Sequence, residues 1–196
     1  MTERAKVPEE ALKGLVAAAE GAKRGPAPVH LWNPPDCGDI DMRIAADGTW
    51  FYCGSPIGRL PLMQLFASIL RKDGDRYVLV TPVEKVGLKV DDAPFLAVEL
   101  AAAGEGEDVT LTFRTNVGDV VTAGEEHPLR FERGASEGLK PYLRVRGGLW
   151  ALVKRALYYD LVALGGAEPW RGAAWFGVRS ARVFFPMCPA SEIEGL

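Results

Sequence analysis

The feature that most constrains the fold is a pattern that occurs twice. Met42-Arg43-Ile44-Ala45-Ala46-Asp47-Gly48-Thr49-Trp50 runs apolar–Arg–apolar, then Gly, then Trp, and Leu143-Arg144-Val145-Arg146-Gly147-Gly148-Leu149-Trp150 runs the same way. The flanking chain corresponds as well. Arg59 precedes a helical stretch with Leu65, Phe66 and Ala67, and Arg155 opens one with Leu161, Val162 and Ala163. Residues 175–178 then stand where 77–80 stood, and 182–185 where 86–90 did. A shared order of strand, turn, strand, helix, strand, strand predicts two related units rather than a coincidence of short patterns. Trp50 and Trp150, at equivalent places, are expected in the core beneath each hairpin.

The expected fold class is α+β: two structurally related small units, each a mostly antiparallel sheet with one packed helix, plus an N-terminal helix. That helix is expected over 8–20, with Pro8 in its first turn and Leu12, Leu15, Val16 and Ala19 as its apolar stripe. Pro34-Pro35 stiffens the segment before the first strand, expected over 39–45. Asp47-Gly48 signals a hairpin to a strand over 50–53. A helix is expected over 61–70 and strands over 77–81 and 86–90. Residues 95–100 and 109–115 read as an antiparallel pair across the turn at 104–108, and 181–187 as a final core strand or a dimer-forming edge. The expected division is 1–28 for the N-terminal helix and linker, 29–103 for the first unit and 104–196 for the second.

Composition narrows the function classes. An apolar fraction of 48% over 196 residues supports a sizeable core. No window approaches the roughly 20 apolar residues that span a bilayer. Three widely spaced cysteines, Cys37, Cys53 and Cys188, do not form a disulfide framework and suit a reducing cytosol, so the expected location is cytoplasmic. Residues 36–140 hold 18 acidic and 11 basic residues, and 141–196 hold four and seven. Seven scattered positive charges are a weak basis for a nucleic-acid partner, and none is expected.

The run from Asp36 to Ile44 alternates charged with apolar residues. On a strand, Asp39, Asp41 and Arg43 share one face and Ile40, Met42 and Ile44 the other. With Asp36, the carboxylates can recognise a ligand, hold a cation, or form a salt-bridge cluster, with Arg43 neutralising them. No calcium-loop pattern or nearby His completes a metal site, and no metal or cofactor is expected. Glu84 and Lys85 form a polar corner between strands. Arg114, Asn116 and Asp119 combine an anion donor with turn-forming residues, and Arg114 can clamp a carboxylate or phosphate. Arg146 is expected to converge with them. His127, after Glu125-Glu126, can titrate near neutrality. No phosphate-binding loop, dinucleotide fingerprint, CxxC or HExxH occurs, and no catalytic residue is assigned.

The segments Trp32 to Arg43, Thr81-Pro82-Val83-Glu84-Lys85-Val86-Gly87, Phe113-Arg114-Thr115-Asn116-Val117-Gly118-Asp119-Val120-Val121 and Arg146-Gly147-Gly148 resemble a bacterial family known as domain of unknown function 1285. The resemblance spans about residues 30–186 and departs at Cys53. It implies an α+β architecture of two similar parts and a suggested role in signalling or ligand binding, with no catalytic residue to carry over. The expected function is therefore a cytoplasmic binding or regulatory protein for a small anionic molecule or a protein partner, its site formed where the two units meet. The alternatives are a small hydrolase pairing Asp39 or Asp41 with His127, and a structural homodimer without a ligand.

Overall fold

A computed structural model describes residues 26–134 and 138–193, so the helix expected over 8–20 lies outside the described residues. The chain divides into two units between Asp92 and Ala93. Each unit has a six-stranded sheet of its own.

The first unit contains β1 (Asp36–Ile44), β2 (Trp50–Tyr52), β3 (Ser55–Pro56), α1 (Leu60–Ser68), β4 (Leu70–Asp73), β5 (Arg76–Val80) and β6 (Lys85–Val90). Its sheet runs β3-β2-β1-β6-β5-β4, antiparallel except where β1 meets β6. The alternation in β1 becomes two faces: Ile40, Met42 and Ile44 are buried, and Asp39, Asp41 and Arg43 are exposed. Beneath the first hairpin Trp50 is fully buried and stacks on Phe66 of α1, with ring centroids 6.3 Å apart. Its Nε1 finds no acceptor among the described residues.

Helix α1 ends two residues earlier than its apolar spacing predicts. The Ile69 carbonyl accepts the Val80 N–H, and Leu70 is already in register with Leu79. Both side chains stay buried either way, so pairing with β5 overrides helix propensity and creates β4.

The second unit contains β7 (Phe95–Ala103), β8 (Thr110–Thr115), β9 (Val120–Thr122), β10 (Leu129–Arg133), β11 (Leu139–Arg146), β12 (Leu149–Val153), α2 (Arg155–Ala163), β13 (Gly166–Trp170), β14 (Ala173–Ser180) and β15 (Val183–Pro189). Its larger sheet runs β10-β11-β12-β7-β8-β9, with β12 and β7 parallel, and β13-β14-β15 form a separate antiparallel sheet. Ser180 joins the two sheets. Its buried hydroxyl accepts the Leu111 N–H at 2.8 Å and donates to the Ala123 carbonyl at 2.7 Å. Without that hydroxyl both backbone groups would lose a partner in the interior, at a cost of about 1–3 kcal/mol.

Two corrections follow. The boundary expected at 103/104 lies at 92/93, because β7 pairs with β8 on one side and β12 on the other. And the two tryptophans are not equivalent. Trp50 lies opposite Ile44 on the core face, whereas Trp150 lies opposite Arg144, half-exposed, with the Arg130 guanidinium 4.1 Å from its ring. The second hairpin has one residue fewer between Arg and Trp, and one residue moves a strand side chain to the other face. Leu149 is the buried residue there.

Candidate functional site

In the first unit the structure gathers Asp36, Asp39 and Lys85 around Arg76, which the sequence reading did not include. Arg76 Nη1 donates to Asp36 Oδ2 at 2.5 Å and Nη2 to Asp39 Oδ1 at 2.5 Å. Lys85 Nζ lies 3.2 Å from Asp73 and 3.9 Å from Asp36. Arg71 forks onto Asp73 and donates Nη1 to the carbonyls of Val29 and Trp32, which anchors the segment leading into β1. Gly87 makes this arrangement possible: a Cβ there would collide with the Asp39 carboxylate and the Arg76 guanidinium. Arg43 does not neutralise Asp39 and Asp41 as expected. It pairs with Asp91 at the end of β6, where its Nε donates at 2.8 Å. Asp41 is exposed on β1. Glu84 closes a turn, its N–H donating to the Thr81 hydroxyl.

These pairings set the acid response of the unit. The Arg76 hydrogen bond, then the Gly38 N–H, holds the Asp36 carboxyl below the usual aspartate value; Arg71 does the same for Asp73 and Arg43 for Asp91. A carboxyl depressed by folding contributes stability that is complete above its unfolded value, near pH 4, and lost as pH falls through the folded value. Arg76→Ala should therefore make the loss of thermal stability between neutral pH and about pH 3 shallower than in the parent. An unchanged slope would show that the pairing is energetically inert.

In the second unit Arg114 pairs with its cross-strand neighbour Glu99 at 2.9 Å. Asn116 bridges to Leu96 through both its N–H and its Oδ1. Asp119 accepts from Arg146 at 2.5 Å, and that guanidinium lies 5.0 Å from the Phe95 ring centroid. Asn116, Asp119 and Arg146 thus meet around the first residues of β7, while Arg114 is farther along the β7–β8 pair. The His127 Nδ1 lies 3.2 Å from the Arg144 carbonyl oxygen. Among the described residues no three His, Cys, Asp or Glu side chains gather closely enough to hold a metal ion.

A groove of about 780 Å³ lies in the same unit, where β11 begins, β12 ends and α2 starts. Its polar lining is Lys140, Arg155, Tyr158 and Tyr159, and its apolar lining Leu139, Pro141, Leu152 and Val153. Gly134 and Gly138 also line it, joined by a backbone hydrogen bond of 2.7 Å. Arg155 Nε donates to Tyr159 Oη at 3.1 Å, and the two tyrosine rings are 5.9 Å apart. Burial pushes the Tyr158 phenol up. Among the described residues the lining carries two cations and no carboxylate.

The sequence reading passed over this groove, although two signals pointed to it. The helix opens on Lys154-Arg155 with no acidic residue in its first turn, against the macrodipole preference. Arg155 and Tyr159 stand one turn apart, the spacing at which helix side chains meet.

Two family models cover nearly all of the described chain. The first, described as domain of unknown function (DUF1285), N-terminal domain, matches residues 27–93. The second, described as protein of unknown function (DUF1285), C-terminal domain, matches 94–187. This chain belongs to the DUF1285 family. The boundary between the two DUF1285 domains falls within one residue of the structural division. A solved DUF1285 structure from Silicibacter pomeroyi DSS-3 is 52% identical, with a TM-score of 0.86, over 92% of this chain and 98% of that one. A second, from Shewanella baltica OS155, is 33% identical, with a TM-score of 0.51, over 63% of this chain and 91% of that one. No curated protein matches the chain.

Proposed function

We propose that this DUF1285 protein is a cytosolic binding or regulatory module that recognises a small organic anion, and that the groove beside α2 is where recognition occurs. The observation that carries this reading is the charge of the groove. Lys140 and Arg155 share a concave site with two tyrosines and no carboxylate among the described lining residues. Its volume is in the range of sites that enclose small molecules. Of the polar residues expected to bind a ligand, Asp36 and Asp39 pair with Arg76, Arg114 with Glu99, and Asp119 with Arg146. Hydrolysis by Asp39 and His127 gains no support, since Asp39 is held by Arg76 and the His127 ring faces a backbone carbonyl.

Calorimetric titration with a panel of organic carboxylates and phosphates tests the reading. Arg155→Gln should weaken any ligand found by about 1.5–3 kcal/mol, at least tenfold, because it removes a charge-assisted hydrogen bond. Arg182→Gln makes the same charge change at an exposed residue paired with Asp108, and should leave affinity unchanged. The reading falls if no anion binds or if both variants behave alike.

A further inference from the structure

Helix α1 carries no charged residue: it reads Leu-Pro-Leu-Met-Gln-Leu-Phe-Ala-Ser. A helix with one side in water ordinarily shows charged residues there, and one without them is covered on that side too. Phe66 and Ala67 are its buried residues, with Phe66 against Trp50. Leu60, Gln64 and Ser68, with Pro61 and Leu65, recur at four-residue spacing on the side away from Phe66. Leu60 is 46% exposed, Pro61 is exposed and Leu65 is half-buried. We infer that this outer side of α1 is a docking surface for residues 8–20 of the same chain, with Leu12, Leu15, Val16 and Ala19 laid against Leu60, Pro61 and Leu65.

The point of entry of the chain is one ground for this. Ala27 is buried and donates its N–H to the Ser68 carbonyl at 3.0 Å, at the C-terminal end of α1. Arg71 holds the carbonyls of Val29 and Trp32 just beyond. Residues 1–25, which lie outside the described ones, therefore lead directly to α1. Extended, residues 21–26 reach about 20 Å. Helix α1 is only about 14 Å long, so a segment ending at residue 20 can lie anywhere along it.

The match of the two surfaces is the other ground. Leu12, Leu15, Val16 and Ala19 recur at i, i+3, i+4 and i+7, one apolar stripe on a helix. That stripe is about 11 Å long, close to the roughly 12 Å from Leu60 to Ser68. A second copy of the chain is the weaker occupant. The outer side of α1 measures on the order of 150 Å², far below the roughly 800 Å² per partner of a stable interface.

Disulfide trapping in the full chain tests the docking, with Cys37→Ser and Cys53→Ser removing the exposed thiols. Leu65→Cys supplies the thiol on α1, and Leu12→Cys, Val16→Cys or Ala19→Cys the other. Gly14→Cys and Ala17→Cys, from the far side of the expected helix, are the controls. The fastest stripe position should close an intramolecular disulfide at least about tenfold faster than either control, because the bond needs Cβ atoms within about 4 Å. Leu60→Cys, at an exposed residue, repeats the series should Leu65→Cys disturb folding, and should show the same preference. Equal rates at stripe and control positions, or no disulfide in either series, overturn the docking. Disulfides that join two chains, forming faster at higher protein concentration, give this surface to a second copy and overturn it as well.

Discussion

Trp50→Ala should destabilise the first unit by about 3–5 kcal/mol, as deletion of a large buried aromatic does. Trp50 is fully buried, and losing its indole leaves a cavity against Phe66, whose own ring is also fully buried. Trp50→Phe should cost much less. It keeps an aromatic face toward Phe66 and removes an N–H that has no acceptor among the described residues, a group whose desolvation opposes folding. The comparison with Trp150→Ala is the decisive part. Trp150 is half-exposed on the outer face under Arg130, so its removal should cost only about 1 kcal/mol. Urea denaturation of the three variants measures the differences. Equal losses at the two tryptophans would contradict the assignment of opposite faces.

Gly177→Ala should be the most damaging single-methyl change in the second unit. A Cβ at Gly177 would collide with the Phe185 carbonyl oxygen and come within 2.8 Å of the Phe184 ring, both on the paired strand. The site coincides with the register shift between β14 and β15. Backbone on a hydrogen-bonded neighbour cannot step aside without breaking that pairing, so a loss of about 3 kcal/mol is expected. Gly87→Ala is the informative contrast. Its obstacles are the free ends of the Asp39 and Arg76 side chains, which can swing into water. That change should cost about 1 kcal/mol, the worth of a partly exposed ion pair. A lower denaturant midpoint for Gly87→Ala than for Gly177→Ala would overturn this ranking.

The duplicated order of elements was legible because it rests on local signals. Asp47-Gly48 and Gly147-Gly148 mark the hairpins, and a helix follows each. What the pattern could not reveal was pairing. In both units a hairpin and helix precede three more strands, yet β6 returns to lie beside β1, whereas β15 pairs with β14 and the place beside β11 goes to β10. Nothing local distinguishes those outcomes, since both bury similar apolar strands. The charged motifs were legible as polar but not as paired. Arg43 looked like the partner of Asp39 because both lie on one face of one strand, yet the nearer guanidinium comes from Arg76 on β5, across the sheet. The groove was hardest to see, because Leu139, Lys140 and Arg155 are unremarkable singly and gain meaning only where a strand end meets a helix start.

The parallel seam between β1 and β6 has a consequence for how the protein is made. Asp36 lies in register with Lys85, near the opposite ends of the first unit, while β14 meets β15 across Ala181 and Arg182 alone. Closing a long loop must precede the contacts that reward it, so the seam forms late and the short hairpin early. During synthesis the buried edge of β1 therefore stays uncovered until β6 has left the ribosome. Asp39, Asp41 and Arg43 line that waiting strand with charge, and an open strand edge so marked is protected against pairing with another chain.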